Sequence, residues 1–195
     1  MHLAEPSDEV LIHACLAGDA KKYAILVRRH QHKVFNVLYR FLGNREASED
    51  LSQETFLTAY QKLVMFSGNS KFSTWLCQIA LNKARDLLRS QKARGSLSEN
   101  ESDDQVAFLA SEKDTPHHHA EINEMNKHIQ RILNEMPETY REVLILKHLE
   151  GYSNEEIASV LETTVENIKV RTYRAREVFK QLYEKLLKQM YEELP

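Results

Sequence analysis

Between Ser153 and Arg176 the chain sets Lys169, Val170, Tyr173 and Arg174 three to five residues apart, a spacing that one face of a helix presents together. Two cations, an aromatic ring and a methyl-bearing side chain on one face suit the DNA major groove. There Arg and Lys bond guanine, and apolar groups touch the thymine methyl. Arg171, Arg176 and Lys147 flank that face and are placed for phosphates. A second basic stretch, Lys71 to Arg94, carries +5, with Lys83, Arg85, Arg89 and Lys92 opposed only by Asp86.

The elements that must position these groups read as helices throughout. Only 5 Gly and 4 Pro interrupt 195 residues, and good helix formers dominate. Ser7-Asp8-Glu9 caps a first helix that Gly18-Asp19 stops. Further helices are expected over about Ala20–Leu42, Glu46–Val64 and Ser73–Ala93, giving a four-helix unit over residues 1–94. Residues 95–120 form an acidic linker; Gly95 to Pro116 carries −5 and little periodicity, with one apolar patch at Val106–Leu109. A second unit, 121–195, contains a helix closed by Pro137, another from Glu138 to Leu149, and a pair joined by a short turn. Ser153 with Glu156 forms a capping box before Ile157, Ala158 and Leu161, and Thr164 caps the long last helix. This short helix, turn and longer helix is the pattern of a helix-turn-helix. Glu162 stands in the turn, where such motifs often place Gly. The fold class is therefore all-α, with two small helical domains.

Net charge is −3, which conceals the segregation into two basic surfaces separated by an acidic strip. Cys15 and Cys77 are too few for a disulfide scaffold and are expected as small buried hydrophobes in a reducing cytoplasm. Neither a signal peptide nor an apolar run that could span a membrane is expected. His117-His118-His119 is taken as linker composition, because adjacent side chains diverge and no further ligand lies at metal spacing. No catalytic constellation, phosphate-cradling loop, metal or cofactor site is expected, and the chain is not read as an enzyme.

Two sets of residues resemble one family. Pro137-Glu138-Thr139-Tyr140-Arg141-Glu142-Val143, Leu149 to Ser153, Glu156-Ile157-Ala158 and Arg174 to Glu177 resemble region 4 of bacterial RNA polymerase sigma factors. Glu49 to Phe56, Phe66, Phe72 to Leu76 and Ile79 to Asn82 resemble region 2. With only these regions and a short linker, the chain is similar to the extracytoplasmic-function (ECF) group. That resemblance implies core RNA polymerase as a partner, through its β′ clamp helices and β flap, with Asp50, Gln53 and Glu54 on the docking face. It implies that Phe66, Asn69, Lys71, Trp75, Asn82, Lys83, Arg85 and Arg89 serve the −10 region, holding a flipped base and the melted non-template strand. It also implies that Lys147, Thr164, Lys169, Val170, Arg171, Tyr173, Arg174 and Arg176 serve the −35 region of duplex promoter DNA. An anti-sigma factor is a further candidate partner, and the linker would thread toward the polymerase active-site cleft. Plainer alternatives stand beside these: Trp75 as a packing residue, the acidic face as merely solvated, and the linker as a tether. Two rival functions are a helix-turn-helix regulator that acts without joining polymerase and a metal-dependent enzyme built on the histidine run.

Overall fold

The computed structural model describes residues 6–95 and 116–192, with backbone alone for 116–123 and 191. The described elements are helices: α1 Asp8–Leu16, α2 Tyr23–Leu42, α3 Arg45–Gln61, α4 Phe72–Ala93, α5 Pro116–Glu135, α6 Glu138–Leu144, α7 Asn154–Val160 and α8 Val165–Glu192. The expected start at Ala20 is a 3-10 turn, Ala20–Lys22, leading into α2, and α3 gives way to another at Leu63–Met65. α5 begins at Pro116, so it takes in residues 116–120, which the sequence reading assigns to the linker; proline is well suited to a first helical turn. His117–His119 fall on this helix, while the apolar patch 106–109 and the acidic strip lie outside the described residues. α6 does not run on as a regular helix. Ile145–Leu149 widens into a π turn, in which the amide of Glu150 donates to Ile145 O at 3.0 Å.

α2, α3 and α4 pack around Leu26, Val34, Leu38, Phe41, Ala59, Leu76, Cys77 and Ala80, all fully buried. α1 closes the end of this unit. Asp8 receives Arg29 at 2.6 Å and faces His30 Nε2 at 2.8 Å. In the second unit Ile132, Leu133, Val143, Ile145, Leu146, Ile157, Ile168 and Ala175 form the interior. Burying apolar side chains at about 25 cal/mol per Å² stabilises each unit, and the helical spacing of these positions is what makes one face of each helix bury.

The two units meet at the C-terminal end of α2, where helix carbonyls lack partners within the helix. Gln130 Nε2 donates to Arg40 O at 3.1 Å, and Arg141 Nη1 donates to Phe41 O at 2.6 Å. The same Arg141 side chain reaches Asn134 O and Met136 O, both at 2.9 Å, so one cation caps α2 and α5 together. Gly43 ends α2 at φ 71°, and a Cβ built there would lie 2.6 Å from Asn134 Oδ1. Gly43→Ala is thus expected to cost about 1–1.5 kcal/mol, from left-handed backbone strain with a shift of the Asn134 amide. Urea unfolding checks this, and an unchanged midpoint would contradict it.

Candidate nucleic-acid interface

The capping box forms as its residues dictate. The Glu156 amide donates to Ser153 Oγ at 3.1 Å, and the Ser153 amide donates to Glu156 Oε2 at 2.8 Å. α7 then buries Ile157, Ala158 and Val160. In the turn, Glu162 adopts φ 50°, the left-handed conformation that Gly would take without strain. Holding a glutamate there costs roughly 1–2 kcal/mol. Thr164 Oγ1 accepts from the Asn167 amide at 3.2 Å and starts α8, which turns Ile168, Thr172 and Ala175 inward.

The opposite face of α8 is exposed: Lys169, Val170 (51%), Tyr173 (67%), Arg174 and Arg176. Val170, Arg171 and Arg174 line a groove with Thr139, Tyr140, Glu166 and Asn167. Thr139 and Tyr140 belong to the segment that resembles region 4 but, like Asn167, are not among the −35 residues expected from the sequence. Asn167 was findable, since it precedes Val170 by three residues and Arg174 by seven. Arg171 is half-buried, with Nη1 3.8 Å from Glu142 Oε1, and Lys147 is half-buried on the π turn. Thr164 is exposed.

The second basic stretch is the surface of α4. Lys71, Trp75, Gln78, Asn82, Arg85 and Arg89 alternate by four and three residues, which aligns them along one stripe. At its head, Phe66, Phe72 and Trp75 form an aromatic cluster with ring centroids 5.3–5.8 Å apart. Phe72 is buried, whereas Phe66 and Trp75 are each half-buried, so Trp75 packs against both rings and stays partly accessible. Asn69 and Asn82 are exposed, and Asn82 Oδ1 accepts from Arg85 Nη1 at 2.7 Å. Arg89 pairs with Asp86 at 3.1 Å, an exposed pair worth little. Lys83 reaches Glu54 on α3 at 3.0 Å.

Several stripe residues are already engaged by the second unit. Arg85 sends Nε and Nη2 to Glu142 Oε2 at 3.0 and 2.9 Å. Burial pushes the Glu142 carboxyl above its ordinary range even with Arg85 and Arg171 beside it. Lys71 Nζ lies 2.8 Å from Glu156 Oε1, and its hydrogen bond holds that carboxyl below its ordinary value. Gln78 Nε2 donates to Glu162 Oε1 at 2.9 Å. Cys77 is buried as expected, its thiol pushed up to about 11 by desolvation, and its Sγ lies 2.9 Å from the Tyr152 hydroxyl. Cys15 is only partly buried.

Asp50, Gln53 and Glu54 are exposed on α3. Next to Gln53 runs an apolar groove lined by Tyr23, Val27, Phe56, Leu57 and Tyr60, with Leu57 65% exposed. This groove was not among the sequence expectations, although Leu57 and Tyr60 follow Gln53 by four and seven residues on the same helical face. Among the described residues no His, Cys, Asp and Glu group could hold a metal ion, and no helix is long and apolar enough to cross a membrane.

Two helical units, one bearing a helix-turn-helix and the other a basic aromatic stripe, define a DNA-binding transcription protein. Residues 26–94 match the family described as Sigma-70 region 2, and residues 127–178 match Sigma-70, region 4. The chain is 30% identical over 191 residues to the RNA polymerase sigma-H factor of Pseudomonas aeruginosa, covering 96% of this chain and 99% of that one. It is 33% identical over 175 residues to the ECF RNA polymerase sigma-E factor of Escherichia coli K12, covering 88% and 91%. Among solved structures it is similar to CnrH in complex with the cytosolic domain of CnrY, with a TM-score of 0.69, 26% identity, and 92% and 99% of the two chains covered. This chain belongs to the RNA polymerase sigma factors, in their ECF group. It is a polymerase-binding factor that directs promoter-specific initiation. A regulator that never joins polymerase would not account for the region 2 match.

Proposed function

We propose that residues 1–94 bind core polymerase and handle the −10 element, that residues 95–120 connect, and that residues 121–195 read the −35 element. The single observation that carries this division is the pair of cationic surfaces on separate units, the α4 stripe and the exposed face of α8. On α4, Phe66, Asn69, Trp75 and Asn82 take the flipped base and strand, and Lys71, Lys83, Arg85 and Arg89 take phosphates. On the second unit, Lys169, Val170, Tyr173 and Arg174 meet base edges, while Lys147, Thr164, Arg171 and Arg176 hold the backbone. Melting draws on the free energy of binding flipped bases, without nucleotide hydrolysis, so the chain is an initiation factor and not an enzyme. It works in the cytoplasm, where its polymerase is.

Asp50, Gln53 and Glu54 meet the β′ clamp helices, with the neighbouring Leu57–Tyr60 groove adding apolar contact area. The β flap contacts the second unit, and the acidic linker enters the polymerase cleft. An anti-sigma factor is a further partner; the similar CnrH was solved in complex with the cytosolic domain of another protein, CnrY. The test of the docking face is Asp50→Ala with Gln53→Ala. Both side chains are exposed, so folding is unaffected and capture of core polymerase should fall about five- to ten-fold. Co-elution with core at the unmutated level would reject the assignment.

A further inference from the structure

We propose that Asn167 is a specificity residue of the second unit, reading an adenine of the −35 element through the exocyclic amine and adjacent ring nitrogen that adenine shows in the major groove. The inference rests on α8 being the −35 recognition helix and deepens that reading by one base identity. Asn167 stands in the first turn of α8, and residues near the start of a recognition helix reach base edges. Its backbone amide does the capping, donating to Thr164 Oγ1 at 3.2 Å. The side-chain amide is exposed, and among the described residues it has no hydrogen-bond partner. A carboxamide offers a donor and an acceptor side by side. Adenine alone presents the matching pair on one major-groove edge; guanine shows two acceptors, cytosine a donor, and thymine an acceptor beside a methyl. The neighbouring Glu166 needs no base partner, because an acid in the first turn is favoured by the helix dipole.

The groove fixes where that adenine falls. Asn167, Val170 and Arg174 follow one another at three and four residues on one face, and they line one groove with Thr139 and Tyr140 of α6. Arg171 in the same groove is drawn to Glu142 at 3.8 Å, at the seam where Glu142 also meets Arg85 of the first unit. Asn167 and Arg174 have no such tie among the described residues. A helix rises about 1.5 Å per residue, which sets Val170 about 4.5 Å and Arg174 about 10.5 Å along the axis from Asn167. Base pairs stack about 3.4 Å apart, so with α8 lying along the groove Val170 meets the next pair and Arg174 one about three steps away. The element read by this chain therefore holds an adenine, an adjacent A·T pair whose thymine methyl touches Val170, and a guanine about three pairs from the adenine.

The test uses core polymerase with the full-length chain and a promoter on which the two initiate, its −35 region randomised. Bound duplexes are selected and sequenced for the unmutated chain, Asn167→Ala and Arg174→Ala. The unmutated chain should prefer adenine at one position by about ten-fold, as for a bidentate contact. Asn167→Ala should flatten that position and keep the guanine preference about three pairs away. Arg174→Ala should do the reverse. On a fixed promoter, 7-deazaadenine at the adenine position replaces only the ring-nitrogen acceptor with carbon. It should weaken binding of the unmutated chain several-fold and that of Asn167→Ala not at all. This arm reads the contact in the unmutated chain itself, whatever a substitution does to the turn. An Asn167→Ala chain with an unaltered adenine preference, a loss spread equally over all sequences, or an unmutated chain indifferent to 7-deazaadenine overturns the contact. Where Arg174→Ala still relaxes its guanine, such a result removes Asn167 alone. Where Arg174→Ala also changes no base preference, the −35 assignment of α8 fails, and the adenine contact with it.

Discussion

Arg141→Ala is expected to lower the unfolding free energy by about 3–5 kcal/mol, because three carbonyls lose a charged donor at about 1–3 kcal/mol for each buried group left unsatisfied. Arg141 is 9% exposed and donates to Phe41 O, Asn134 O and Met136 O, with its guanidinium carbon 5.7 Å from the Phe41 ring centroid. These carbonyls lie at the ends of α2 and α5, so alanine leaves each of them without its side-chain donor where little water can replace it, although Gln130 still holds Arg40 O. The cation also sits at the negative ends of two helix dipoles, which favours its charge there. Burial lowers the pKa of the guanidinium, and the group stays charged at neutral pH. Arg141→Met separates packing from hydrogen bonding, because it keeps the stem and should recover only part of the loss. Urea unfolding of both variants checks this. An alanine variant within about 0.5 kcal/mol of the parent would show that the three carbonyls do not depend on Arg141.

Arg174→Ala is expected to weaken −35 recognition by about 2 kcal/mol, roughly thirty-fold in affinity, as for loss of a bidentate contact to guanine. Among the described residues Arg174 has no ion pair, and it lines the groove between α6 and the start of α8 with Val170 and Asn167. It is available to DNA without first breaking a bond inside the protein. Arg171, one turn back, is already close to Glu142, and its removal should act as much on the seam as on DNA. Footprinting of the polymerase complex on a promoter it initiates from reads the Arg174 effect. Unaltered −35 protection and affinity would remove Arg174 from the recognition face.

Local signals carried much of this molecule into view. Ser153 with Glu156, Thr164, Gly43 and Pro137 each act within a few residues of themselves, and their caps and stops stand where the sequence puts them. Helical periodicity likewise brought out the exposed face of α8, because Lys169, Val170, Tyr173 and Arg174 are neighbours on one helix. What the sequence hid depends on distant partners. Nothing local marks Arg141 as a cap for a helix ending 100 residues earlier, or Tyr152 as the partner of Cys77. Glu162 was visible as an unusual turn residue, but its use became evident only with Gln78 alongside. The Leu57–Tyr60 groove was overlooked because apolar residues at helical spacing ordinarily mean core, and here two of them face outward.

The most direct measurement is run-off transcription with purified core polymerase, the full-length chain and a pool of genomic DNA, followed by mapping of transcript 5′ ends. Polymerase with the chain is predicted to start at a set of sites that core alone does not use, with a shared sequence near −35 and another near −10. Starts that share only an upstream element, with the α4 stripe variants Asn82→Ala and Trp75→Ala unaffected, would contradict the −10 assignment. A folded chain that gives polymerase no new start on any template would contradict the account as a whole.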